Sequence, residues 1–344
     1  MMRPTMANKL VEIRQRRISM AVEEGQTILD AALLAGIPYP HGCKSGRCGS
    51  CKSRLIEGEV DLLQHSRFAL SEDEKSAGLI LACRAVPRTD ATVAWLGSDD
   101  DDALPPARSL DATVTHLDDL THDIKLVRIA PFDGAPLLFT AGQYAQVGFD
   151  GAPARSYSMA NRHGDTELEF HIRRVPGGAT SGHVHTALQV GDSVTIQFPL
   201  GSSYLRQHHV GPLLCVAGGS GLAPIKSIVE TALAHGMKQP VHLYVGARAE
   251  RDLYLVEHFE GLARRHPNLT FTPVLSEQSA ERYRSGLVMQ AVIEDFSDFD
   301  GWKAYVAGPP AMVDAAMEAT FARGLRQMDM HADVFFTAAP ADAL

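Results

Sequence analysis

The sequence predicts a multidomain protein that joins an α+β segment, an antiparallel β segment and an α/β segment, in that order. Three observations predict it. Residues 1–98 mix short strand-like runs with one short helix around a cysteine-rich loop. Residues 108–207 repeat a two-residue apolar alternation between Gly-rich turns, the pattern of a small antiparallel barrel. Residues 208–344 alternate strand with helix, which implies a parallel sheet with helices on both faces, the doubly wound arrangement.

At 344 residues the chain is long enough for two or three domains, each with its own core. A net charge of −9 argues against a nucleic-acid partner, which would select a basic face. No apolar run is long enough to span a membrane, and the start, MMRPTMANKL, lacks the apolar stretch of a signal peptide. The expectation is a cytoplasmic monomer. In that compartment clustered cysteines read as metal ligands or redox groups rather than disulfides.

In the first segment, KLVEIR and RISMAV read as strands, and TILDAALLAG as a helix. Thr27 suits its N-cap, Asp30 a capping-box position three residues on, and Gly36 the C′ position. SRLIEGEVDLL reads as a strand and turn, and GLILACRAV carries Cys83. Residues 99–107 hold four consecutive aspartates and a Pro-Pro pair, the composition of a solvated linker. In the barrel, Ala145, Val147 and Phe149 share one face of a strand, and so do Val194, Ile196 and Phe198. In ELEFHIRRV, Leu168, Phe170 and Ile172 point one way, while Glu167, Glu169, His171 and Arg173 point the other. Beyond residue 207 the strands are PLLCVA, VHLYVGA, LTFTPVL and KAYVAG. The helices between and after them are APIKSIVETALAHG, LYLVEHFEGLARRH and AMVDAAMEATFARG. Such sheets bind nucleotides at the carboxyl ends of their strands.

Three of the five cysteines fall in CKSGRCGSC, spaced C-x4-C-x2-C at Cys43, Cys48 and Cys51, with Cys83 downstream. This is the plant-type [2Fe–2S] spacing. Four thiolates must surround two irons in a tight loop whose N–H groups face sulfur, and Gly46 and Gly49 permit such a loop. A four-cysteine zinc site competes, but it ordinarily needs two short cysteine pairs. Cys215 lies in an apolar strand and reads as a core residue. His183 and His185 form an H-x-H pair with no third ligand in view, and read as surface histidines.

HGCKSGRCGSCKSRLIEGEV and LILACRA resemble the β-grasp ferredoxin domain of oxygenase reductases. ARSYSMAN, EFHIRRVPGGATSGHV and FPLGSSYLR resemble the FAD barrel of the ferredoxin–NAD(P) reductase superfamily, whose signature is R-x-Y-[ST]. The resemblance implies that Arg155 pairs with the flavin diphosphate and that Tyr157 packs on the isoalloxazine. Ser156 lies within the motif, and Ser158 would bond near flavin N5. His171, Ile172 and Arg173 would line the flavin chain, with Gly178, Ala179, Thr180 and Ser181 holding the diphosphate.

VAGGSGLAPI is not G-x-G-x-x-G, but it resembles the family's G-G-[ST]-G-[IL]-A-P. Gly219, Ser220 and Gly221 would let a dinucleotide diphosphate approach the helix start. YVAGPPAMV resembles the second fingerprint, placing Gly308 and Pro309 at the nicotinamide, with Ala307 where the family usually has cysteine. Arg248, as a 2′-phosphate partner, and Asp252, as a 2′-hydroxyl acceptor, point in opposite directions. NADH is expected on resemblance, and NADPH is the alternative. In HADVFFTAAP, Phe335 best matches the aromatic residue that covers the flavin.

The motifs run in the order ferredoxin, FAD, NAD over nearly the whole chain. They resemble most the reductase components of Rieske-type aromatic-ring oxygenases, of the naphthalene and terephthalate dioxygenase kind. The implied cofactors are FAD, a [2Fe–2S] cluster and NADH. The implied activity is electron transfer to an oxygenase, directly or through a separate ferredoxin, with Tyr157, Ser158 and Phe335 at the reacting flavin. The same relay could serve a multicomponent monooxygenase, a haem-thiolate monooxygenase or a deoxysugar dehydratase. A non-catalytic metal-binding protein is the reading from another class. Lys44, Arg47 and Lys52 suggest a basic docking patch.

Overall fold

The computed structural model describes residues 8–41, 44–46, 49–67, 69–96, 105, 107–132, 134 and 136–335. The chain forms two compact units, residues 1–101 and 102–344.

The first unit is a β-grasp. Its elements are β1 (Lys9–Ile13), β2 (Ile18–Val22), α1 (Ile28–Leu34), β3 (Lys52–Glu57), β4 (Val60–Leu62), α2 (Glu72–Ser76), β5 (Leu79–Leu81), β6 (Ala85–Pro87) and β7 (Ala91–Trp95). The main sheet has the order β2-β1-β7-β3-β5, with β1 and β7 parallel, and β4 pairs with β6 apart from it. Helix α1 starts as the sequence predicts, since Thr27 Oγ1 accepts the Asp30 N–H at 3.2 Å. The Asp30 carboxylate bonds back to the Thr27 hydroxyl at 2.6 Å, and not to the Thr27 backbone as a capping box would. Gly36 takes φ +71° just past the helix. Ile28, Leu29, Ala31 and Ala32, one face of α1, are buried with Val11, Ile13 and Val22 of the sheet.

The second unit opens with β8 (Arg108–Asp119), β9 (Ile124–Pro131), β10 (Tyr144–Phe149), β11 (Arg155–Ser158), β12 (Leu168–Arg173), α3 (Ala179–Thr186) and β13 (Ser193–Leu200). The strands form one antiparallel sheet, β11-β10-β13-β8-β9-β12. A bridge between Met159 and Phe170 brings its two edges together and closes the barrel. Ala145, Val147, Phe149, Val194, Ile196 and Phe198 fill it, as the alternation predicts.

The α/β part continues with β14 (Leu213–Gly218), α4 (Leu222–Ala234), β15 (Val241–Ala247), α5 (Val256–Arg265), β16 (Leu269–Leu275), β17 (Arg284–Ser285), α6 (Val288–Asp295), β18 (Lys303–Gly308), α7 (Pro310–Phe321) and β19 (Met330–Val334). The sheet is parallel throughout, in the order β17-β16-β15-β14-β18-β19. Chain order reverses between β14 and β18. That switch point opens a crevice at the strands' carboxyl ends, where Gly218 and Gly308 stand.

One expectation needs correction. The helix expected from Leu253 begins at Val256, because Leu255 adopts φ +56° and breaks it. The Glu169 and His171 face of β12 is not open to water: both residues are about 95 % enclosed, under helix α4. Helix α6 was not read from the sequence at all.

Candidate functional site

In the first unit, Cys51 ends the loop before β3, and Cys83 lies in the turn between β5 and β6. Both are buried. The Ala82 N–H bonds the Cys51 carbonyl at 3.1 Å, and the Cys83 N–H points at the Cys51 sulfur at 3.5 Å. An amide aimed at sulfur stabilises a thiolate, which is what a buried anionic cluster requires. Lys44, Gly46 and Gly49 all take positive φ. A Cβ on Gly46 would sit 2.7 Å from Arg84 Cγ, so this turn excludes larger residues. Cys43, Cys48 and Arg47 lie outside the described residues. Of the three residues of the expected basic patch, Lys44 is exposed, whereas Lys52 is buried and bonds the Glu74 carboxylate at 2.6 Å.

Strand β11 is the R-S-Y-S segment. Arg155 and Ser156 are exposed, Tyr157 is half-buried and Ser158 is buried. Burial pushes the Tyr157 phenol up to about 12, so it stays neutral. The Ser158 hydroxyl donates to Asp333 Oδ2 in β19 at 2.6 Å. One residue on from β19, the Phe335 N–H bonds the Gly308 carbonyl at 2.9 Å. The flavin motif, the second dinucleotide fingerprint and the C-terminal aromatic residue therefore meet at one place. Helix α3 begins at Ala179 behind Gly178, which contributes no capping side chain. The amides of Ala179, Thr180 and Ser181 are thus the first-turn donors of an uncapped helix, suited to a diphosphate. Their hydroxyls do other work: Thr180 donates to the Pro153 carbonyl at 2.7 Å, and Ser181 Oγ accepts the Val175 N–H at 3.0 Å.

The crevice over β14 and β18 is a cavity of about 620 Å³. Gly219 to Gly221 form a single 3₁₀ turn leading into α4. A Cβ on Gly221 would lie 2.1 Å from the Ala307 carbonyl oxygen, so the helix start can approach β18 only through glycine. The Ala307 side chain is fully buried in β18, and it is this backbone that meets the turn. Met312 lies against both Gly218 and Gly308.

Two residues read as flavin or ribose partners sit elsewhere or do other work. Arg173 lines the dinucleotide crevice: its Nε donates to Asp123 Oδ2 at 2.7 Å, and its Nη1 lies 3.1 Å from a Cβ built on Gly219. His171 is wholly enclosed, with both ring nitrogens facing protein partners, Tyr254 at 3.1 Å and Glu169 at 3.2 Å. Its side chain does not line an open flavin channel. Asp252 and Arg248 both line the crevice. One Asp252 oxygen caps the Ala249 N–H at 3.0 Å, and the other is buried with no hydrogen-bond partner. An orphaned acceptor of this kind fits a hydroxyl donor on a ligand. Cys215 is buried, and desolvation pushes its thiol up to about 12, so it is an inert core group as predicted. His185 bonds the Ile172 carbonyl at 2.9 Å, and no metal-binding group of side chains occurs among the described residues.

Comparison with known proteins agrees with this division. Residues 11–88 match the 2Fe-2S iron-sulfur cluster binding domain, residues 111–204 the oxidoreductase FAD-binding domain, and residues 215–318 the oxidoreductase NAD-binding domain. The chain is 42 % identical over 321 residues, 93 % of its length and 96 % of the relative's, to the ferredoxin–NAD(P)+ reductase component of the naphthalene 1,2-dioxygenase/salicylate 5-hydroxylase systems of Ralstonia. This chain is a member of the ferredoxin–NAD(P)+ reductase family. An aromatic O-demethylase reductase subunit from Amycolatopsis is 39 % identical over 94 % of this reductase and 98 % of that chain. The crystal structure of an Amycolatopsis cytochrome P450 reductase superposes with a TM-score of 0.75 at 38 % identity, covering 95 % of this chain and 98 % of that one. The ferredoxin reductase of carbazole 1,9a-dioxygenase gives 0.69 at 27 % identity, covering 96 % and 98 %.

In the reductase, Cys51 and Cys83 could hold a [2Fe–2S] cluster, the β11 motif and the α3 start could hold FAD, and the turn at Gly219 could hold the dinucleotide. Tyr254, Asp333, Lys226 and Ser227 were missed as contributors to the site. Tyr254 stands between two leucines in RDLYLVEHF and carries no local signal of a polar role.

Proposed function

We propose that this reductase takes electrons from NADH and passes them, through FAD and the [2Fe–2S] cluster, to an aromatic-ring oxygenase or its intermediary ferredoxin. The bound groups supply the chemistry: FAD accepts a hydride and can release electrons singly, which suits a one-electron cluster. The chain's own residues bind, orient and exclude water.

The observation that carries this reading is how the flavin motif and the dinucleotide turn are fastened together. Ala160 and Asn161 follow R-S-Y-S after a single residue, Met159. Their carbonyls accept bonds from Lys226 Nζ at 3.1 Å and Ser227 Oγ at 2.6 Å, both on α4, the helix that the dinucleotide turn begins. A short hydrogen-bonded strut of this kind holds two binding sites in fixed register, which transfer between bound partners needs. NADH rather than NADPH is supported by the Asp252 carboxylate in the crevice, whose Oδ1 makes no hydrogen bond and lies 3.8 Å from His122 Nδ1; its charge would accept from a ribose hydroxyl and repel a phosphate. Arg248 favours the opposite choice, but it lies 3.8 Å from the same carboxylate and is partly neutralised by it.

The experiment is kcat/KM with each nucleotide, with cytochrome c as acceptor. A preference for NADPH would overturn the donor assignment. The identity of the acceptor has a second reading. Relatives at 39 % and 38 % identity serve an aromatic O-demethylase and a phenol 2-monooxygenase. Reconstitution with the oxygenase components encoded nearby separates these readings: turnover with a Rieske oxygenase supports the first, and turnover only with a monooxygenase supports the second.

A further inference from the structure

Beneath the dinucleotide turn lies a buried chain of polar groups that hydride transfer itself does not require. Glu169 and His171 stand two apart on β12 of the barrel, on the face covered by α4. The Glu169 carboxylate accepts from His171 Nε2 at 3.2 Å, from Lys226 Nζ at 3.2 Å and from Arg128 at 2.9 Å. Lys226 also reaches Glu230 at 3.4 Å. A carboxylate only accepts, so His171 carries its proton on Nε2 and leaves Nδ1 as an acceptor. Burial, which outweighs the neighbouring Glu169, keeps the imidazole neutral. Facing Nδ1 at 3.1 Å is the hydroxyl of Tyr254, in the segment between β15 and α5. That hydroxyl also faces the Gly219 carbonyl oxygen at 3.4 Å. Gly219 belongs to the dinucleotide turn and adopts φ +57°.

A trans peptide is planar, with its C=O and the following N–H on opposite sides. Holding the Gly219 carbonyl toward Tyr254 therefore directs the Ser220 N–H to the other side of that peptide. The Tyr254 hydroxyl has one proton and two acceptors, one on the flavin barrel and one on the dinucleotide turn. The Tyr254 hydroxyl is the donor facing His171 Nδ1, and the Gly219 carbonyl, which also accepts the Leu222 N–H inside the 3₁₀ turn, takes it as a second donor, so the shared proton draws both toward it.

We propose that Tyr254 and His171 are positioning residues that set the orientation of the Gly219 peptide, and so the affinity of the turn for the dinucleotide diphosphate. The assignment rests on the reading of this crevice as the NADH site, because it names what the chain of groups holds in place. Neither residue reaches the crevice wall, so their effect on the nucleotide is exerted through Gly219.

The test uses the FAD- and cluster-loaded protein and two variants, Tyr254→Phe and His171→Gln, singly and together. The readouts are the Kd for NAD+ by calorimetry, the KM and kcat for NADH, and the FAD content. Tyr254→Phe keeps the ring and removes the shared proton. Its Kd for NAD+ and KM for NADH should each rise by about 3- to 10-fold, the worth of one hydrogen bond, with FAD content and kcat near the parent's. Residues acting through one chain are not additive, so the double variant should lose no more affinity than the weaker-binding single one. A Kd within about twofold of the parent's in Tyr254→Phe, which is less than one hydrogen bond, overturns the proposal. So does a double variant whose loss is the product of the two, or loss of FAD in place of nucleotide affinity. If His171→Gln does not fold, Tyr254→Phe decides alone. A parent protein that binds no NAD+ would count against the NADH reading itself.

Discussion

The Ser158 hydroxyl donates to the Asp333 carboxylate at 2.6 Å, joining two residues 175 positions apart in sequence. Ser158 ends β11, the strand of the R-S-Y-S motif, and Asp333 lies in the last strand of the α/β sheet, two residues before Phe335. The bond ties the C-terminal aromatic residue to the flavin motif. It also fixes the hydroxyl with its oxygen lone pairs turned away from Asp333.

Ser158→Ala removes a bond to a charged acceptor, worth about 1.5–3 kcal/mol where it is aligned, and leaves Asp333 without that donor. FAD content should hold. Flavin reduction by NADH, followed as bleaching of the flavin band in a stopped-flow instrument, should slow by about 10- to 150-fold. A full loss of FAD instead would make Ser158 a binding residue rather than one acting on the reaction.

Glu169 makes the contact between barrel and α4 pH-sensitive. Burial alone would raise its carboxyl. The hydrogen bond from His171 and the charge of Lys226 outweigh burial and hold it well below the ordinary carboxylate range. A depressed carboxyl stabilises the fold above its unfolded value of about 4.3, and that contribution is lost as pH falls below it toward the folded value. Melting of the second unit should therefore drop from about pH 5 downward, in the range where unfolded carboxylates titrate. Glu169→Gln should lower stability near neutral pH by about 1–3 kcal/mol, because the buried Lys226 keeps Glu230 but loses one of its two carboxylate partners, and should flatten the acid limb. An acid limb unchanged in the variant would assign it to other carboxylates.

Asp252→Asn keeps the cap on Ala249 and removes the negative charge from the crevice. The ratio of kcat/KM for NADH over NADPH should fall by about tenfold, or about 1.4 kcal/mol. The pair of steady-state measurements that assigns the donor also checks this. A ratio that does not move would place discrimination on other residues.

How much of this was legible depended on whether the signal was local. The barrel alternation at Ala145–Phe149 and the glycine turn at Gly219 are written in contiguous residues, and each formed where expected. What covers the polar face of β12 was not legible, because a period of two separates the faces of a strand without saying what lies over them. Lys226 and Ser227 of α4, some sixty residues on, turn that face into an interior. Arg173 left the flavin for the dinucleotide crevice because Asp123, at the start of β9, holds its guanidinium there. Leu255 was read into a helix on apolar spacing alone. Asp252, folded back on the Ala249 amide, closes a turn just before it, and the chain has to reverse through positive φ to begin α5. Helix α6 is eight residues long, too short for its period to stand out.

The central claim is that electrons enter as hydride at the α/β crevice and leave through the cluster that Cys51 and Cys83 help to hold. Cys83→Ser, in protein that retains its FAD, tests it most directly when NADH oxidation is followed in parallel with cytochrome c and with ferricyanide. Cytochrome c reduction should fall to background while ferricyanide, which can draw on the flavin, is reduced at close to the parental rate. Cytochrome c reduction that survives Cys83→Ser undiminished would contradict it.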